Sequence, residues 1–176
     1  MWLAGSSRSF ANMRVEILTN VPVPEAALPA PENRALKTFL ASLNSEDSLL
    51  RAAPFAPPTA PADAAGTQAY AGGVVLFFAD DAHNGDRGLY YALLEKLVEL
   101  LKGAGSADTV ELHLGLGLRT ESSAPAPKHA LVLELVSRGA TPEQAELRWG
   151  LGVAHLQQAL LFTSRLLRQQ LSGRNA

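Results

Sequence analysis

The stretch that most restricts how this chain folds is its last long segment, TPEQAELRWGLGVAHLQQALLFTSRLLRQQL, residues 141–171. It reads as one long helix, and a helix of that size must lay its apolar side on a sheet or on other helices. Thr141 suits the N-cap, where a hydroxyl accepts a hydrogen bond from a free first-turn N–H, and Pro142 suits the first helical position because it has no N–H to leave unpaired. Glu143 and Gln144 complement the positive end of the helix, with Gln144 at capping-box spacing from Thr141. Leu147, Trp149, Val153, Leu156, Leu160, Leu167 and Leu171 recur at mostly helical spacing. Arg165 and Arg168 lie near the negative end, and Gly173 can terminate the helix. Gly150 and Gly152 interrupt the pattern, each costing a helix interior about 1 kcal/mol relative to Ala. They mark a kink, a close helix contact or a break into two helices.

A sheet for this helix to cover is written upstream. Residues 13–21 (MRVEILTNV) are β-rich and end at Pro22. Residues 73–79 (GVVLFFA) form a continuous apolar run, the mark of a central strand buried on both faces. Residues 110–118 alternate strictly, with Val110, Leu112, Leu114, Leu116 and Leu118 on one face and Glu111, His113, Gly115 and Gly117 on the other. Residues 130–136 give a fourth strand. Two further amphipathic helices are expected at 32–43 and 89–102, the second stopped by Gly103. The predicted fold is α+β: about four strands in a mixed sheet, in the order β-α-β-α-β-β-α. Its β-α-β-β-α part fits a split βαβ, ferredoxin-like arrangement with helices on one face, with a three-layer sheet as the alternative.

Length and composition suit one domain at 13–176, with residues 1–12 as an N-terminal extension. Within it, 44–72 reads as a flexible connector because residues 52–65 are nearly all Ala and Pro. Hydrophobic residues at 47% against 18% charged place the chain among soluble globular proteins rather than disordered ones. A net charge of −2 gives no basis for nucleic acid as a partner, since phosphate binding needs clustered cations. The absence of cysteine excludes disulfides, thiolate metal sites and thiol catalysis. No apolar run reaches the roughly 20 residues of a membrane span. The extension lacks acids and carries Arg8 among serines, which resembles a mitochondrial transit segment. The expected location is cytoplasmic, or the mitochondrial matrix if 1–12 is a targeting segment.

Chemistry-bearing residues concentrate in one loop. Asp80, Asp81, His83, Asp86 and Arg87 follow a central strand and precede a helix, the place where α/β sheets tend to bind ligands. Carboxylates and an imidazole suit a divalent metal or acid–base work. The same residues also suit ordinary loop chemistry: Asn84-Gly85 as a turn and Asp86 as a helix cap. Glu111 and His113 share one strand face and can pair. Gly115-Leu116-Gly117 lacks the third glycine and the strand–turn–helix setting of a phosphate loop. Ser122-Ser123 has no nucleophile-elbow context. No cofactor is implied.

The helix at 141–171 supplies the other candidate surface. Trp149, Leu156, Leu160 and Leu167 form a stripe that either packs on the sheet or meets another chain. Leu151, Leu161 and Leu166 widen the apolar surface beyond that stripe. A helix apolar around much of its circumference is deeply buried or shared with a second chain. The expected function is therefore a non-enzymatic protein–protein interaction module, such as an assembly factor, chaperone-like adaptor or complex subunit. The alternative is a small enzyme or ligand-binding domain using loop 80–87, with or without a divalent metal.

Overall fold

Each strand of the sheet is long enough, and apolar enough on one side, to accept helices across its whole width. The computed structural model describes residues 12–21, 33–59, 67–103, 110–119 and 128–174. Among them, strands β1 (Asn12–Val21), β2 (Leu50–Thr59), β3 (Gln68–Phe78), β4 (Val110–Arg119) and β5 (Lys128–Gly139) form one sheet in the order β1-β4-β5-β3-β2. β1 is parallel to β4, and the β4–β5, β5–β3 and β3–β2 pairs are antiparallel. Helices α1 (Arg34–Leu43), α2 (Arg87–Gly103) and α3 (Pro142–Arg174) complete the fold. β3 and β4 run parallel with β5 between them and are joined through α2, so the split βαβ unit is present. In a ferredoxin-like order the place beside β3 belongs to a strand that follows the second helix. Here β2 fills it.

The strand count differs from the four expected. β2 lies inside the 44–72 segment read as a flexible connector, and its first half follows from pairing rather than propensity. Leu50 and Ala52 are buried in the core, and Asn44 brackets Ala52 by accepting from its N–H and donating to its carbonyl, both at 2.9 Å. Pro54, Pro57 and Pro58 are tolerable because β2 is an edge strand, where a missing N–H breaks no second ladder. Residues 1–11 and 60–66 lie outside the described residues, as do Ser122 and Ser123.

All three helices contribute to a single core on one side of the sheet. α3 is continuous through both glycines and, at 33 residues, spans about 50 Å. Its start is built as the sequence implies: the Gln144 N–H donates to Thr141 Oγ1 at 3.2 Å, and Gln144 Oε1 accepts from the Ala140 N–H at 2.7 Å. Gly152 permits close approach to the sheet, because a Cβ there would stand 3.0 Å from Val110 Cγ1 and 3.2 Å from Leu135 Cδ2. Trp149 anchors the contact, donating its indole N–H to the Leu135 carbonyl at 3.0 Å and meeting Tyr70 edge-on at 5.3 Å. α1 is fastened to α3 at both ends. Asn33 caps α1 and donates to Glu146, while Gln157 donates to Ser42 Oγ at 2.8 Å.

The opposite face of the sheet carries a smaller apolar cluster of Val21, Val75, Ala130 and Val132, with Leu18 packed on it. Gly115 and Gly117 lie beneath Leu18 and Val21 of this cluster. A Cβ on Gly115 would stand 2.5 Å from Leu18 Cδ1, and one on Gly117 would stand 2.7 Å from Val21 Cγ2. The Gly-Leu-Gly sequence thus serves strand packing. Elsewhere on this face His113 pairs with Glu134 at 3.5 Å across β4–β5, and Glu111 pairs with Arg138 rather than with His113.

Candidate interaction surface

The polar groups of loop 80–87 bond mostly within the loop and to its flanking elements, though only Asn84 among them is buried. Asp80 caps a single 3₁₀ turn (Asp81–Gly85), accepting from the Ala82 N–H at 3.0 Å. Asp86 accepts from the Leu89 N–H at 3.1 Å and so caps α2. Between the caps, Asn84 is buried and takes the place of a strand partner for the end of β3. Its Oδ1 accepts from the Phe78 N–H at 2.8 Å and from the Tyr90 hydroxyl at 2.7 Å, and its Nδ2 donates to the Phe78 carbonyl at 3.0 Å. Burial pushes the Tyr90 phenol well above its ordinary value, so it stays neutral and serves as a hydrogen-bond donor.

The remaining loop residues also sit against local neighbours, although His83 Nδ1 is buried without a hydrogen-bond partner among the described residues. Lys128 sits 2.8 Å from Asp81 and, with a weaker hydrogen bond from Asn84, holds its carboxyl below the usual carboxylate range. His83 packs its ring against Phe78 at 5.8 Å, with Nδ1 3.9 Å from the Asp80 carboxylate. Arg87 donates to the Tyr91 hydroxyl at 2.8 Å and lies over its ring. The structure therefore brings the five residues onto one turn and the start of α2 without converging them on a common point. Among the described residues, no group of three or more His, Asp or Glu side chains is arranged to hold a metal ion.

α3 divides its apolar residues differently. Trp149, Leu156, Leu160 and Leu167 are buried in the core, Trp149 at 1% exposure. Leu161 and Leu166 are half-buried at the flanks. Leu151 faces outward at 63% exposure, together with Leu147 at 65% and Phe162 at 48%. At about 100° per residue, Leu151 and Phe162 fall within roughly 60° of Leu147, opposite the sector that holds Trp149 and Leu156. They mark the outer face over about 22 Å by helical rise, with exposed Ala154 and Gln158 lying between Leu151 and Phe162. Leu147 and Phe162 do not stand out in the sequence as surface residues, yet their wheel positions relative to Trp149 carry the signal. Scattered exposed leucines are ordinary; three large apolar residues aligned on one helix face are less so.

A second surface lies between β1 and α2, a cavity of about 520 Å³ lined by Val15, Ile17, Tyr91, Leu94 and Val98 together with Glu95, Glu99 and Lys102. No helix among the described residues is long and apolar enough to cross a membrane. Comparison of the chain with protein-family models, curated proteins and solved structures finds no match.

Proposed function

We propose that the chain is a protein-interaction module that docks another protein along the outward face of α3. The observation that carries this reading is the alignment of Leu147, Leu151 and Phe162, each about half or more exposed, on the side of α3 opposite its core stripe. An apolar stripe with polar flanks suits the apolar face of a partner helix laid along it, the arrangement by which amphipathic helices recognise one another. The loop at 80–87 lends no comparable support to an enzymatic reading, because its Asp side chains cap helices or pair with Lys128.

The test is affinity capture of the full chain from its native cells beside a Leu147→Lys/Leu151→Lys variant of matched thermal stability. The reading predicts a stoichiometric partner on the parent chain that is lost from the variant. The same partner on both chains, or no stoichiometric partner on either, would overturn it.

A further inference from the structure

The outward face of α3 is charged oppositely at its two ends. At about 100° per residue, Glu143, Ala154 and Arg165 fall within roughly 40° of Leu147, on the side that Leu151 and Phe162 share. All six side chains are exposed. Glu143 and Arg165 each stand eleven residues from Ala154, one toward either end of the helix. The face thus carries an acid, then Leu147 and Leu151, then a small residue at its middle, then Phe162 and a base. Such a face is complementary to its own reverse.

We propose that it pairs with the same face of a second copy of the chain, the two α3 helices antiparallel and centred on Ala154. The proposal rests on the α3 reading above and names its partner. In that register Glu143 lies level with Arg165 of the second copy, and by symmetry the pair occurs twice. Leu147 lies against Leu161 and Phe162 of the second copy, and Leu151 lies beside its Gln158. Ala154 meets itself where the helices cross, and a small side chain there lets the two backbones approach. Parallel pairing fails on charge. It sets Glu143 against Glu143 and Arg165 against Arg165, and charges flanking an apolar seam decide the orientation of paired helices.

The charged neighbours of this face are engaged within the chain. Glu146 accepts from Asn33 at 3.1 Å, Arg148 donates to the Arg138 carbonyl at 2.6 Å, and Arg168 donates to the Asp47 carbonyl. Glu143 accepts from its own first-turn N–H and from the Thr141 hydroxyl. A carboxylate has about four acceptor sites, so it retains room for a guanidinium. Arg165 has no hydrogen-bond or ion-pair partner among the described residues.

The chain has no cysteine, so an introduced thiol reports its own surroundings. With a short bis-maleimide, the full chain carrying Ala154→Cys should cross-link to a dimer of twice 18.7 kDa. Arg165→Cys should not, because its two copies lie about 33 Å apart by helical rise. Light scattering across micromolar concentrations should show the parent as a dimer. Arg165→Glu should weaken it about tenfold by creating two like-charge contacts, and Glu143→Arg/Arg165→Glu should restore it. These side chains are all exposed, and thermal melts confirm that each variant folds. A monomeric parent at every concentration overturns the proposal, as does an Ala154→Cys chain that does not cross-link or a double variant no tighter than Arg165→Glu. A monomeric parent that captures a different protein, lost on Leu147→Lys/Leu151→Lys, overturns this inference alone and leaves the α3 reading standing.

Discussion

Loop 80–87 and the outer face of α3 differ in what their side chains have left to offer. The loop is rich in groups that do chemistry, yet its caps, the Asn84 bracket and the Asp81–Lys128 pair engage those groups within the chain. The helix face has no titratable cluster and looks plain, yet it holds apolar area that the fold leaves uncovered. On the proposed reading, groups whose interactions remain unmade are a better guide to a working surface than reactive residue types. A carboxylate that closes a helix end stabilises the fold. Exposed apolar side chains on one helix face contribute nothing until something covers them.

The contrast can be broken most severely at Asn84. Asn84→Ala strands the Phe78 N–H and carbonyl and the Tyr90 hydroxyl in a buried site, each costing about 1–3 kcal/mol. We expect a loss of about 4 kcal/mol in denaturant unfolding, several times what a surface loop residue gives. A loss under about 1 kcal/mol would mean the loop is not structurally committed and would reopen it as a site.

Within α3 the inward and outward faces should separate cleanly. Leu156→Ala should cost about 3 kcal/mol, as a fully buried leucine does, while Leu151→Ala should stay within about 0.5 kcal/mol. Comparable losses at the two positions would mean that Leu151 is covered in the isolated chain.

Thr163 sharpens the inward face further. Its hydroxyl is buried with no hydrogen-bond partner among the described residues, so Thr163→Val should be neutral or raise stability by up to about 1 kcal/mol. A loss would point to a polar partner for that hydroxyl.

The smallest expected effect is on acid stability. Because Lys128 lowers the Asp81 pKa on folding, the pair's contribution is complete above the unfolded carboxylate value of about 3.9 and is lost as pH falls through the lower folded value. Asp81→Asn should lower stability slightly near neutrality, where the pair's contribution is complete, and flatten the stability–pH curve in that acid range, where variant and parent converge. An unchanged acid limb would mean that the 2.8 Å pair is not maintained in solution.

Much of this fold is legible in the sequence because the periodicities are strong. The alternation of Val110 to Leu118, the apolar run at 73–79 and the Thr141–Pro142–Gln144 cap each specify an element from local chemistry. β2 escapes because most of it is alanine and proline, and what makes Leu50 and Ala52 a strand is the β3 partner and the Asn44 bracket, neither of which is local. Gly150 and Gly152 look like a break, since propensity records only their cost; what offsets it at Gly152 is the nearness of Val110 and Leu135. At the candidate surface, a list of leucines does not divide inside from outside. The angle each makes with Trp149 does, once the sheet is known to lie under Trp149.

The most direct test of the contrast places a photo-reactive residue at position 151 of α3 or at position 83 of the loop, in the full chain within its native cells. The account predicts a discrete protein adduct from position 151 and none from position 83. An adduct from position 83 with none from position 151 would contradict it.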